Sequence, residues 1–167
     1  MQRGQYVVMG VSGSGKTSIG AAFARALDID FVEGDDYHPS ENVERMSRGI
    51  ALTDDDRAGW LRALAARIRE SNDAGTGLVM TCSALKRSYR DVLRAASSEL
   101  RFVFLKGGRA LIAERLAGRR GHFMPPSLLE SQFATLEEPS PDEKAWVCDI
   151  RQSPQEIVDA LVARASA

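Results

Sequence analysis

With 167 residues, 44% of them apolar, the chain has material for one packed domain and too much hydrophobic content for a disordered segment. A formal net charge of −1 excludes bulk attraction to nucleic acid or to an anionic membrane, so any cations that matter act locally. Cys82 and Cys148 have neither disulfide-frame nor metal spacing, no apolar run reaches membrane-span length, and the first strand leaves no room for a signal peptide; cytoplasm is the expected location.

The first predicted strand is residues 5–9, where Tyr6, Val7, Val8 and Met9 form an apolar run. Gly10-Val11-Ser12-Gly13-Ser14-Gly15-Lys16-Thr17 follows at once, a complete G-x-x-x-x-G-K-T loop. Its glycines let the backbone turn tightly, so that successive N–H groups cradle phosphates. Lys16 reaches the β- and γ-phosphates of a nucleoside triphosphate, and the Thr17 hydroxyl can ligate Mg²⁺. Ile19, Phe23 and Leu27 then mark one face of a helix. Strand, glycine loop and helix is the setting that this motif requires.

Residues 30–33 predict a second strand, followed by Glu33-Gly34-Asp35-Asp36. Ligands of an open α/β sheet collect at the carboxyl ends of its strands, which puts Asp35 near the phosphate loop. There it can orient an acceptor hydroxyl and take its proton, or hold Mg²⁺ through water. Gly-Asp-Asp is also ordinary turn chemistry. Residues 36–58 are polar, carry Pro39 and Gly49, and suit a segment that closes over a ligand. Within them Thr53 reads as a helix N-cap, with Asp54, Asp55 and Asp56 favoured in the first turn. Arg57 can reach back to bind an anionic acceptor.

Trp60, Leu64 and Ile68 form the stripe of the next helix, and residues 78–82 form the third strand. That strand ends without the Mg²⁺-holding Asp of many phosphate-loop enzymes, which points away from GTPases and motor ATPases. Ser83, Lys86 and Arg90 follow it and could contact a polar anion; the alternative is a helix start with a solvated basic face. A strand at 101–105 and a helix marked by Leu111, Ile112 and Leu116 come next. Residues 118–127 run Gly-Arg-Arg-Gly-His-Phe-Met-Pro-Pro-Ser, a candidate mobile lid whose Arg119 or Arg120 could close on a triphosphate. His122 is assigned no proton chemistry. A strand at 146–150 and a helix carrying Ile157, Val158, Leu161 and Ala165 complete the alternation. The whole, 1–167, reads as one α/β domain with a parallel sheet covered on both faces.

Several separated stretches resemble one family, the small phosphate-loop gluconate kinases related to shikimate and nucleoside monophosphate kinases. They are residues 9–17, Gly34–Pro39, Arg45–Arg57, Cys82–Asp91, Leu105–Gly107, Gly121–Met124 and Gln132–Pro139. The resemblance implies the nucleoside-monophosphate-kinase-like fold of P-loop NTPases, with a five-stranded parallel sheet in the order 2-3-1-4-5 and a mobile lid. It implies ATP and Mg²⁺ as cofactors, phosphorylation of D-gluconate at its 6-hydroxyl, and a homodimer. ATP is expected on Gly10–Thr17 and Arg119, Mg²⁺ on Thr17, and catalysis on Lys16, Asp35 and Arg119. Gluconate, an anion with a row of hydroxyls, is expected on Asp35, His38, Arg57, Ser83, Lys86 and Arg90. One departure is Glu33, where the family often has Asp; the longer carboxylate bears on the water-mediated metal contact. The rival readings are a sister kinase acting on shikimate or a nucleotide, and a non-catalytic nucleotide switch.

Overall fold

The structure, a computed structural model, describes residues 3–118 and 126–167. Strand β1 (Gln5–Met9) leads through the glycine loop into α1 (Lys16–Leu27). β2 (Asp30–Glu33) is followed by a 3₁₀ turn (Gly34–Tyr37), α2 (Ser40–Ser47) and α3 (Asp54–Ala74). β3 (Leu78–Thr81), α4 (Arg87–Arg94), β4 (Arg101–Lys106) and α5 (Arg109–Ala117) come next. After α6 (Pro126–Thr135), a 3₁₀ turn (Pro141–Glu143), β5 (Trp146–Asp149) and α7 (Pro154–Ala165) finish the chain.

All strand pairs are parallel and the sheet order is β2-β3-β1-β4-β5, as the resemblance implied. Side chains alternate across a strand, so the unbroken apolar runs feed two cores. Tyr6, Val8, Val103 and Leu105 face α1 and α7, where Ile19, Phe23, Ile157 and Leu161 cover them. Val7, Met9, Met80, Phe102 and Phe104 face the other way, onto Trp60, Leu64 and Ile68 of α3 and Leu93 of α4. The expected helical stripes on α1, α3 and α7 are therefore the buried ones. The third strand stops at Thr81, one residue before its expected end, although the Cys82 N–H still reaches Val8 O at 3.1 Å.

Three helices lack an uninterrupted apolar stripe. α2 buries only Asn42. On α4 the buried face is Tyr89, Arg90 and Leu93, so a cation interrupts the stripe. α6 buries the neighbours Leu128 and Leu129. Each is held by contacts from distant segments, which local patterning does not encode. No helix among the described residues is long and apolar enough to cross a membrane.

Candidate active site

The site is built from the carboxyl ends of β1, β2 and β3, and the phosphate loop occupies its centre. Gly10, Gly13 and Gly15 have φ values of 147°, 84° and 97°, a region that side-chain-bearing residues rarely enter. A Cβ at Gly10 would stand 2.9 Å from Leu105 O and 2.8 Å from Ser14 Oγ. The N-cap of α1 is Gly15, with no side-chain cap and no acidic residue in the first turn. Its leading N–H groups and positive dipole end are thus left for an anion. The Lys16 ammonium donates to Gly10 O and Val11 O, both at 3.0 Å, which holds it over the loop. Among the described residues the buried Ser14 hydroxyl has no hydrogen-bond partner, a polar atom that a bound phosphate group would suit.

The acid expected beside the metal position comes from β2, not β3. Glu33 Oε2 accepts from the Thr17 hydroxyl at 2.6 Å, and Oε1 accepts from the Thr81 hydroxyl. Glu33 and Thr81 are register partners, so strand pairing delivers this contact. Among the described residues no three His, Cys, Asp or Glu side chains converge as a metal cage. One hydroxyl with a carboxylate beside it suits Mg²⁺, which keeps its waters and takes most of its remaining ligands from phosphates. The Glu33 departure is therefore compatible with a metal contact.

Gly34 sets the course of the chain beyond β2. A Cβ there would lie 1.9 Å from Thr81 O, so no larger residue fits. Its N–H donates to Thr81 Oγ1 at 3.1 Å and its carbonyl accepts from Trp60 Nε1 at 2.8 Å. The 3₁₀ turn that starts here turns Asp35 into a cavity of about 250 Å³, below the range typical of drug-sized ligands. Lys16 and Ser12 of the phosphate loop, His38, Arg57 and Ser83 line the same cavity. The His38 side chain is 4% exposed and stacks on Trp60, with ring centroids 3.9 Å apart and planes 16° apart. Burial lowers its pKa below the usual imidazole value; Asp35 pulls it up and Arg57 pushes it down, both less strongly. Arg57 is aimed by Leu52 O at 2.7 Å and the Tyr89 hydroxyl at 3.1 Å, with Tyr89 beneath its guanidinium. The N-cap reading of Thr53 holds: its hydroxyl accepts from Asp56 N, and the Asp56 carboxylate accepts from Thr53 N.

Two expected acceptor residues are not brought to this cavity. The Lys86 ammonium lies against Asp54, at 3.1 Å and 3.4 Å from its two oxygens, because that carboxylate and the Tyr89 ring offer a closer partner. Arg90 requires a correction. It is fully buried, donates bidentately to Glu143 at 2.7 and 3.0 Å, and donates to Ala84 O at 2.8 Å. Ala84 has φ of 47°, an unfavourable left-handed conformation for a residue with a Cβ. Arg90 thus braces the strained turn that carries Ser83. Burial alone would push the Glu143 carboxyl up; hydrogen bonds from Arg90, Arg94 and the Ser140 backbone outweigh it and hold it at about 2. Cys82, under the same turn, is pushed up by burial to about 12, so it is a neutral packing group. Arg119, and with it the core of the expected lid, lies outside the described residues; Gly118 ends α5, and Pro126 and Ser127 already belong to α6.

Sequence reasoning passed over three contributors. Gln132 of α6 accepts from Ser12 N at 2.7 Å and donates to Ser12 Oγ at 3.2 Å, and it lines the acceptor cavity. Its only signal was membership of the Gln132–Pro139 stretch. Trp60 read as core alone, yet it carries His38 and Gly34. Asn42, one polar residue in a polar segment, gave no signal. On the opposite flank of the loop a second cavity of about 580 Å³ runs from Gly13 and Gly15 to Leu111 and Arg115 of α5, Gln152 before α7 and Pro154 at its start.

Comparison with known proteins agrees with this geometry. A family model described as an AAA domain matches residues 6–139. The chain is 48% identical to the gluconokinase of Gluconobacter oxydans (strain 621H) over 156 residues, 93% of this chain and 88% of that protein. It is 42% identical to the thermoresistant gluconokinase of Escherichia coli (strain K12), covering 94% and 90% of the two chains. The crystal structure of a gluconokinase from Sinorhizobium meliloti 1021 superposes with a TM-score of 0.90 at 48% identity, over 99% of this chain and 93% of that one.

Proposed function

The chain belongs to the gluconokinase family, and on that premise we propose that it transfers the γ-phosphoryl group of ATP to the 6-hydroxyl of D-gluconate, giving 6-phospho-D-gluconate and ADP. The observation that carries this reading is the single small cavity where Asp35, Arg57 and His38 meet Lys16 of the phosphate loop. In this reading the triphosphate lies on the N–H groups of Gly13–Thr17, and the nucleoside enters the larger cavity between α5 and α7. Asp35 accepts the proton of the 6-hydroxyl as its oxygen bonds to the γ-phosphorus. The bond to the β,γ-bridging oxygen breaks, and its electron pair leaves with ADP. Lys16 neutralises charge on the transferring group. Arg57 pairs with the gluconate carboxylate, and Ser83 and His38 hydrogen-bond its hydroxyls.

Thr17 and Glu33 are the residues that would hold Mg²⁺, which would supply positive charge to offset the negative charge of the phosphates. Arg119 is proposed as a lid cation on the triphosphate, with Arg120 solvated; hydrogen exchange with and without an ATP analogue and gluconate tests the closure. The reading also includes a cytoplasmic homodimer. The two free, buried cysteines suit a reducing compartment, and sedimentation equilibrium tests the dimer.

A coupled kinase assay with ATP and Mg²⁺ across gluconate, shikimate, related sugar acids and nucleoside monophosphates tests the assignment. Coupling through a dehydrogenase specific for 6-phosphogluconate reports the position of transfer. Gluconate alone should support fast turnover. Preference for another acceptor overturns the substrate, and ATP binding without acceptor-dependent turnover favours the nucleotide switch.

A further inference from the structure

His38 is one of the two histidines in the chain, and its surroundings dictate which ring nitrogen holds the proton. The dictating residue is Asn42, one helical turn on, 3% exposed and the only residue that α2 buries. Asn42 Nδ2 lies 2.8 Å from Asp56 O and 3.3 Å from His38 Nδ1. A backbone carbonyl can only accept, so the nitrogen end of this amide is identified by its partner. One N–H of that NH₂ group goes to Asp56 O, which leaves the other for His38 Nδ1. A ring nitrogen that accepts from N–H has no proton of its own, so the proton sits on Nε2. Nε2 is the nitrogen that faces Asp35, with Oδ1 at 3.9 Å.

We propose that Asn42 is a positioning residue that locks His38 as the neutral Nε2–H tautomer, making His38 a fixed hydrogen-bond donor beside Asp35 and never a proton acceptor there. The role on the acceptor side rests on the gluconate reading above; the tautomer does not. The separation has a use. A hydroxyl oxygen at about 2.8 Å from each group can accept from Nε2–H and donate to Asp35 Oδ1 at once. Such a hydroxyl has its proton aimed at Asp35 and keeps one lone pair uncommitted. Stacking on Trp60, itself tied to Gly34, sets the plane of the ring, and Asn42 sets its polarity.

The charged groups that face the ring do not disturb this state. Asp35 approaches Nε2 from the 3₁₀ turn, and Arg57 opposes it from α3. The carboxylate of Asp56 is spent on Arg45, at 2.8 and 2.9 Å, and on Thr53 N. Only its carbonyl reaches Asn42. Burial then keeps the imidazole neutral near pH 7.

Long-range ¹⁵N–¹H correlation spectra of the full chain at pH 7.5 read the tautomer directly, with His122→Gln assigning the two ring systems. The expected result is a protonated Nε2 and a bare Nδ1 on His38 without any substrate. A protonated Nδ1, or an imidazolium, overturns the proposal, and this spectrum decides it even if both Asn42 variants fail to fold. In Asn42→Ala, His38 should become a tautomer mixture; an unchanged spectrum removes Asn42 from the role. In Asn42→Asp the new carboxylate should draw the proton to Nδ1 and raise the His38 pKa, so that Nε2–H persists only in the imidazolium and kcat/KM for gluconate falls as pH rises through that raised value. Loss of one hydrogen bond predicts about a 3- to 10-fold fall in kcat/KM for gluconate in Asn42→Ala, with KM for ATP unchanged. Failure of the gluconate assay with the expected spectrum would refute the substrate and leave the tautomer standing.

Discussion

The two cavities that flank the phosphate loop are built by different means. On the side proposed for the nucleotide, Gly13, Ser14 and Gly15 form one wall, and aliphatic residues such as Leu111 and Ile157 form the other. What this side offers a ligand is backbone N–H geometry and apolar surface, concentrated in the glycine loop and two flanking helices. On the side proposed for the acceptor the groups come from the phosphate loop, the 3₁₀ turn and the residue after it, α2, α3, the loop after β3 and α6. Three of them are aimed by neighbours: His38 by Asn42 and Trp60, Arg57 by Tyr89, and Ser83 by the Ala84 turn that Arg90 braces. A triphosphate is a generic ligand and needs a generic cradle. A hydroxy acid has to be told from its relatives, and that requires side chains held in place from several directions.

Lys16→Ala removes the phosphate-loop cation, which lines the smaller cavity and is held over the loop, and should have the largest effect. Comparable groups contribute about 10³- to 10⁵-fold in rate, so turnover should nearly vanish while the thermal transition stays close to wild type. Near-normal turnover in a folded variant would break the comparison at its centre. Asp35→Asn acts on the acceptor side alone. Loss of a general base should cost about 10²- to 10⁴-fold in kcat with ATP affinity nearly unchanged. Partial recovery at high Mg²⁺ would shift the role of Asp35 toward organising the metal; unchanged kcat at ordinary Mg²⁺ would reject both roles.

These two residues also show what was legible in the sequence. The glycine loop, the five strands and the β2-turn acid each occupy a short run, so local chemistry revealed them. The sheet order came from the resemblance alone. Arg90 was misjudged because its meaning depends on Glu143, fifty-three residues away, and on the backbone strain at Ala84. From sequence it was one basic residue on a basic helix face. Glu33 looked like a departure until strand pairing set it beside Thr17 and Thr81. Asn42 was invisible for the same reason: a buried polar residue declares itself only through its partners.

Arg57 and Arg90 make a paired test, since both were expected to bind the acceptor and the structure separates them. Removing one partner of a buried ion pair costs about 3–5 kcal/mol. Arg90→Met should therefore lower the denaturation midpoint sharply, while the folded fraction shows only a small rise in KM for gluconate, transmitted through the Ser83 turn. Arg57→Ala should do the opposite. It loses a charge-assisted hydrogen bond to the ligand, about 1.5–3 kcal/mol, and should raise KM for gluconate roughly 10- to 150-fold with little change for ATP. The Arg90 pair has a pH signature as well. The folded Glu143 carboxyl sits at about 2, below its unfolded value, so its contribution is complete above the unfolded pKa. It is lost as pH falls from there toward 2. Wild type should lose stability over that window, and Glu143→Gln should lose less. An equal rise of both Michaelis constants in Arg57→Ala would make Arg57 structural.

Gln132 should give the smallest effect and the most informative one, because it belongs to both regions. Its amide lines the acceptor cavity, and its carbonyl oxygen takes the Ser12 N–H at 2.7 Å, on the face of the phosphate loop that looks toward the acceptor. Five residues on, the same segment reaches the acceptor loop, where Glu137 N donates to Leu85 O at 2.7 Å and the Glu137 carboxylate accepts from Arg87 N at 3.0 Å. One short stretch therefore touches the nucleotide loop at one end and the acceptor loop at the other. Gln132→Ala leaves a half-buried N–H without that partner, at a cost of about 1–3 kcal/mol if water does not replace it and about 1 kcal/mol or less if it does. Water has access here, so a loss of about 3- to 10-fold in kcat/KM is expected for each substrate. The sharper reading is the affinity for an ATP analogue measured with and without gluconate. If Gln132 links the two cavities, gluconate should tighten the analogue in wild type and do so less in the variant. If the enhancement persists undiminished, the two regions communicate by another route, and Gln132 serves only to hold Ser12.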